Sequence, residues 1–260
     1  MNAAALPPPW DHPPTLGEKA ASAALWTAGL AWLVPVMSAM MAAAAVVPPD
    51  RTQWLSRLYC RGQVAMTGAR WRAEVDPAVD PAKCYLFACN HVNLLDHVTM
   101  YNATPHFKQG LELASHFEIP VYGWFMRQRG TIPVERGGGA EQRARLVANF
   151  RREVDAGHSI LAFPEGTRTR DGRVGPFKTG TFAIAREIGL PIVPVTVTGM
   201  YEILRAGSGL MRRGREVVVT CDAPVDPGRP EDGPEALRAL AERVRAPIAA
   251  RVDRSLGHPS

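Results

Sequence analysis

The sequence predicts an α/β fold, a central mixed sheet flanked by helices, preceded by an N-terminal hydrophobic two-helix element suited to a membrane. Three observations carry that reading: short apolar runs recur with helical segments between them, two of those segments have a one-faced apolar pattern ending in glycine, and residues 20–49 contain no charged side chain. A chain of 260 residues is long enough to bury a full core. With 46% hydrophobic and 21% charged residues, the composition excludes a disordered polymer and a many-span transporter.

Residues 1–19 include a proline-rich stretch at 6–14 and are expected to form a flexible tail. Residues 20–66 form the membrane-associating element. A single helix over 20–49 would run about 45 Å, longer than the roughly 30 Å hydrocarbon layer. Pro35 lacks a backbone N–H and is expected to divide the segment into two shorter helices, a shallow hairpin. Alanine dominates the run, which favours an interfacial or re-entrant seat over a full span. The opposing reading is a buried helix pair of a soluble protein. Asp11, Glu18 and the single cation Lys19 argue against a secretory signal. Arg51, Arg57 and Arg61 outnumber Lys19, so the following domain is expected on the cytoplasmic face of the cell membrane.

After a helix at 54–66, the α/β body spans residues 67–228, with strands expected at 70–75, 84–89, 111–114, 131–134, 159–163, 192–197 and 216–221. The helix at 140–156 places Leu146, Val147, Phe150 and Val154 on one face and stops at Gly157; the helix at 177–188 places Phe182, Ala185 and Ile188 inward and stops at Gly189. Residues 229–260 read as a C-terminal helix at 234–252, limited or kinked by Pro247, and a tail without chemistry.

A formal net charge of +5 favours anionic partners: nucleic acid, anionic lipid head groups or a phosphorylated substrate. A basic surface kept for solubility explains the same number. No nucleic-acid-reading module or aromatic–basic interleaving is present, so nucleic acid is not expected as a partner. The cysteines Cys60, Cys84, Cys89 and Cys221 have neither disulfide-scaffold nor metal-clip spacing and read as reduced thiols.

The chemistry concentrates where an apolar run turns abruptly polar, at Asn90, His91, Asn93, Asp96 and His97. Polar residues past the C-terminal end of a strand lie where α/β sheets bind ligands. Residues five apart on one helix point about 140° away from each other, so His91 and Asp96 meet only if His91 lies in the loop and Asp96 in the first helical turn. The carboxylate then holds one ring nitrogen and leaves the other to take a proton. No G-x-S-x-G elbow supplies a nucleophile, so the attacking hydroxyl belongs to the substrate. An aspartate that merely caps the helix explains this segment equally well. No metal is expected, because a metal-hydrolase cluster would need histidine at Asn93 and an acid at Leu95. Cys89 reads as a small buried hydrophobe and not as a nucleophile.

Two further blocks follow strands. Phe163, Pro164, Glu165, Gly166, Thr167 and Arg168 combine a glycine that lets backbone N–H groups approach an anion with an arginine able to grip phosphate; Gly130 to Arg136 supplies a second arginine. Each arginine alone is also compatible with an ordinary solvated surface.

In this order the blocks resemble the glycerolipid acyltransferase family, which includes the 1-acyl-sn-glycerol-3-phosphate acyltransferases. Asn90, His91 and Asp96 meet its N-H-x-x-x-x-D block, Gly130 and Arg136 its second, Phe163 to Arg168 its F-P-E-G-T-R block in full, and Val193, Pro194 and Val195 its apolar fourth. The resemblance implies that His91 is the general base and Asp96 its orienter. It further implies that Arg136, Glu165, Gly166, Thr167 and Arg168 bind the glycerol phosphate of the acceptor, and that Pro194 shapes the acyl site. It implies no cofactor, acyl-coenzyme A or acyl carrier protein as donor, and membrane lipids as partners. Asn93 stands where many relatives carry serine, and Pro133 with Glu135 replaces an aromatic and an aspartate, which bears on the acceptor: lysophosphatidate, or another lysolipid such as a lyso-ornithine lipid. A basic membrane-bound scaffold is the non-enzymatic reading.

Overall fold

The computed structural model describes residues 13–135, 137 and 139–257. Residues 1–12 of the expected tail lie outside them. Thr15 starts the first helix: its hydroxyl accepts from the Glu18 N–H at 3.2 Å and the Glu18 carboxylate accepts from the Thr15 N–H at 2.9 Å, a reciprocal capping box. Helix α1 (Leu16–Ala44) therefore begins inside the segment read as tail and runs without a break past Pro35.

The division expected at Pro35 does not occur. An interior proline costs a helix about 3 kcal/mol, and packing on both flanks offsets it: Trp32 Nε1 donates to the Tyr59 carbonyl at 3.2 Å, and Val36 and Met40 pack on Leu55. Tyr59 and Leu55 belong to α2 (Gln53–Met66), so α1 pairs with α2 across a turn at Pro48 and Pro49. By length and composition α1 could cross a membrane. Its buried residues are Ser22, Leu25, Val36 and Met40, while Leu30 and Val34 are exposed. Most of this apolar helix is left uncovered by the rest of the described chain.

The remaining elements are β1 (Arg70–Val75), β2 (Leu86–Cys89), α3 (Asp96–Met100), β3 (Lys108–Leu113), α4 (Tyr122–Gln128), β4 (Ile132–Val134), α5 (Ala140–Asp155), β5 (Ser159–Ala162), α6 (Gly180–Ile188), β6 (Ile192–Thr198), α7 (Met200–Ile203), β7 (Glu216–Cys221) and α8 (Gly233–Ser255). The strands form one seven-stranded sheet in the order β1-β7-β6-β2-β5-β3-β4. Pairing is parallel except between β6 and β7, which makes the sheet mixed. Strand β2 is central and wholly buried: Leu86 and Ala88 enter a core shared with α5, α6 and α8, while Phe87 and Cys89 enter the core on the opposite face beneath α2, α3 and α7.

Of the element boundaries that move, two have a visible physical cause. The third strand begins at Lys108 instead of 111 because Lys108 and Gln109, polar in sequence, are buried in it. Helix α6 begins at Gly180 instead of 177 because the chain before it is tied to the 163–169 loop, through Lys178 N–H to the Pro164 carbonyl and Gly175 N–H to Glu165. The C-terminal helix packs against the sheet. Leu240, Ala241, Val244 and Ile248 of α8 cover one sheet face, and with Val244 and Ile248 fully buried on either side of Pro247 the helix continues through that proline.

Candidate active site

The site forms where β2 gives way to α3. Asn90 fixes the exit from the strand: its side-chain oxygen accepts from the Val197 N–H at 2.8 Å and its amide donates to the Val197 carbonyl at 3.0 Å, tying the loop to β6. His91 follows in the loop, and Asp96 opens α3, fully buried. His91 Nδ1 lies 2.8 Å from Asp96 Oδ2. The same oxygen accepts the N–H groups of Val92 at 2.5 Å and Asn93 at 2.9 Å. Asp96 thus closes the loop and holds the imidazole at once; it does not cap α3, whose N-cap is Leu95 without a side-chain cap bond. A carboxylate acceptor places the proton on Nδ1 and leaves the lone pair on Nε2. The His91 side chain is 23% exposed.

Asn93 is no substrate contact. Its amide donates to the carbonyls of Met200 and Leu204, both at 2.9 Å, and its oxygen accepts from the Leu95 N–H at 2.8 Å. A buried amide with these partners braces the loop against α7.

The 163–169 loop wraps His91 from the β5 side. The Phe163 ring stacks on the imidazole at 4.2 Å between centroids. Glu165, 6% exposed, accepts the His91 N–H through Oε1 and the Gly175 N–H through Oε2, both at 2.8 Å. Thr169 N–H donates to the His91 carbonyl at 2.9 Å. Burial pushes the Glu165 carboxyl above the usual range, and the two N–H bonds oppose it.

Gly166, Thr167 and Arg168 are exposed at the loop's tip. Gly166 has φ +66°, and a Cβ there would lie 2.6 Å from Lys178 Nζ. Lys178, which carries no motif in the sequence, therefore sets an ammonium group over the Gly166 turn. A lone lysine before a helix carries no local signal; only the fold brings it here.

Arg136 lies outside the described residues. Pro194 sits inside the sheet opposite Ala88 of β2, buried. Its carbonyl accepts from the Asp222 N–H at 3.0 Å, and since proline has no N–H to return the bond, the β6–β7 ladder begins at Val195. An apolar groove does adjoin the site elsewhere, lined among others by Leu25, Trp26 and Leu33 of α1, Tyr59 of α2, and Leu94 and Leu95 immediately before Asp96. Cys89 is fully buried, and burial pushes its thiol well above the ordinary value. It cannot supply a ready thiolate.

Comparison with known proteins converges on the same region. A family model described as Acyltransferase matches residues 70–198, which hold the whole His91–Asp96 site. The chain belongs to the acyltransferase family. A chloroplastic 1-acyl-sn-glycerol-3-phosphate acyltransferase of Brassica napus is 37% identical to this acyltransferase-family chain over 130 residues, covering 50% of the chain and 37% of the relative. The enzyme of that name from Salmonella typhimurium is 32% identical over 164 residues, covering 62% of the chain and 64% of the relative. The chain thus spans less than two thirds of the length of these relatives. The crystal structure of the 1-acyl-sn-glycerophosphate acyltransferase from Thermotoga maritima superposes with a TM-score of 0.75, covering 94% of this chain and 98% of that one at 17% identity. That likeness shows that the fold is shared.

Proposed function

We propose that this protein transfers a fatty acyl group from acyl-coenzyme A or acyl carrier protein to the sn-2 hydroxyl of lysophosphatidate, forming phosphatidate. The observation that carries the reading is the His91–Asp96 pair at 2.8 Å, with Nε2 of His91 left as the proton acceptor. In the proposed step, the acceptor O–H gives its proton to His91 Nε2 as the oxygen attacks the thioester carbon. The tetrahedral intermediate collapses with cleavage of the C–S bond, and the departing sulfur takes the proton back from the imidazolium. Atoms balance as phosphatidate and a free thiol, with no acyl-enzyme. General-base assistance of this kind contributes about a hundred- to ten-thousandfold.

Arg168, exposed at the loop's tip, and Lys178, whose ammonium lies over the Gly166 turn, supply positive charge for the acceptor's phosphate, with Arg136 as a further candidate. The apolar groove between α1, α2 and Leu94–Leu95 is the seat we assign to an acyl chain, in place of Pro194. Membrane lipid is the environment of α1, with Arg51 and Arg61, both exposed, favouring a cytoplasmic active site; Arg57 is partly committed to the Thr104 carbonyl. Incubation of purified protein with labelled acyl-coenzyme A or acyl carrier protein and a panel of lysolipids tests the reading. Labelled phosphatidate from lysophosphatidate is expected; labelling of a phosphate-diester or amine-linked lysolipid in its place would reassign the acceptor.

A further inference from the structure

The F-P-E-G-T-R block contains a glutamate that resemblance assigns to the acceptor's glycerol phosphate, yet its geometry leaves little of it for a substrate. Each carboxylate oxygen of Glu165 already accepts a backbone N–H at 2.8 Å, Oε1 from His91 and Oε2 from Gly175, and the residue is 6% exposed. A carboxylate in this environment also repels a phosphate. The same loop holds His91 from three directions: Glu165 takes its N–H, Thr169 gives an N–H to its carbonyl at 2.9 Å, and Phe163 stacks on its ring at 4.2 Å.

We infer that Glu165 is a positioning residue: it fixes the main chain of His91 relative to the 163–175 segment, so that Nε2 faces the acceptor hydroxyl held by the cations at the loop's tip. The inference rests on the transfer reading above and divides the block into two parts. Phe163, Glu165 and Thr169 aim the base, while Gly166, Arg168 and Lys178 face the solvent side where a substrate phosphate would sit. Each oxygen is matched to one donor, so the aim requires a carboxylate of this length. In Glu165→Gln one N–H of the amide must confront either the His91 or the Gly175 N–H, and in Glu165→Asp the shorter carboxylate cannot reach both. A catalytic group displaced by as little as about 1 Å can lose on the order of a hundredfold in rate.

Steady-state kinetics of acyl transfer to lysophosphatidate test the division, with thermal unfolding run in parallel. Wild-type transfer comes first: if it is absent, the transfer reading fails, independently of Glu165. Given wild-type transfer, Glu165→Gln is expected to lower kcat by at least about tenfold while the acceptor KM stays within about twofold. Arg168→Ala is expected to do the reverse and raise the acceptor KM. Glu165→Asp, which keeps the charge, gives the same split to a smaller degree and serves if the glutamine variant does not fold. A raised acceptor KM with kcat retained in either variant overturns the inference in favour of substrate binding. A lowered melting temperature with both constants unchanged overturns it in favour of a structural role alone.

Discussion

Asp96→Asn isolates the charge of the carboxylate from its geometry. Three donors converge on Asp96 Oδ2, from His91 Nδ1, Val92 N–H and Asn93 N–H, whereas Oδ1 is buried with no hydrogen-bond partner among the described residues. The asparagine oxygen is therefore held at the Oδ2 position, because turning the amide over would set its NH2 against two backbone N–H groups and the ring donor. The proton stays on Nδ1 and Nε2 remains a base. What is lost is the negative charge that steadies the imidazolium as it forms. A hydrogen bond to a charged group is worth about 1.5–3 kcal/mol against about 0.5–1.5 kcal/mol for a neutral one, a difference of about 1–2 kcal/mol. That corresponds to a fall in kcat of about 5- to 30-fold. The assay is kcat at saturating donor and acceptor, with the thermal midpoint recorded. A loss of about a thousandfold or more with the fold intact, in the range of removing the base altogether, would show that the amide turns over and that the two backbone donors do not hold it.

Lys108, fully buried over the Phe87 ring, has its pKa lowered by desolvation from 10.5 to about 7. Between about pH 7 and 10.5 the unfolded chain binds the proton that the folded chain releases, so this residue makes stability rise with pH across that window. Lys108→Met is expected to raise stability at pH 7, by up to about 5 kcal/mol at 1.36 kcal/mol per pH unit, and to flatten the pH dependence measured by urea unfolding. Gly166→Ala faces φ +66° and the Lys178 ammonium, and is expected to raise the acceptor KM severalfold while His91 chemistry survives. Leu30→Gln with Val34→Gln, both exposed on α1, is expected to weaken vesicle binding by about tenfold or more without changing the melting temperature.

The pair at the centre of the site was legible because its signal is local. An apolar strand ends in Asn90-His91, and a five-residue offset lets His91 and Asp96 meet only across a loop-to-helix junction, which is where α3 begins. The sheet was legible for the same reason, since its central strands are fully buried and read as short apolar runs. What escaped the sequence depends on distant contacts. Glu165 reaches His91 across 74 residues of chain, and the Lys178 ammonium reaches Gly166 only because its segment folds back on the loop. Pro35 and Pro247 looked like helix breaks, and packing on both flanks of each overrides the local cost. Lys108 and Gln109 hid the start of β3 because buried polar residues interrupt an apolar pattern.

Direct transfer from donor to acceptor through His91 is the central claim, and a quenched reaction with radiolabelled acyl donor and lysophosphatidate tests it most directly. Wild-type protein and Cys89→Ala should both form labelled phosphatidate without label on the protein, and His91→Ala should lose about a hundred- to ten-thousandfold in rate with its fold intact. Labelled protein that is consumed as product appears, or undiminished transfer by His91→Ala, would contradict the account.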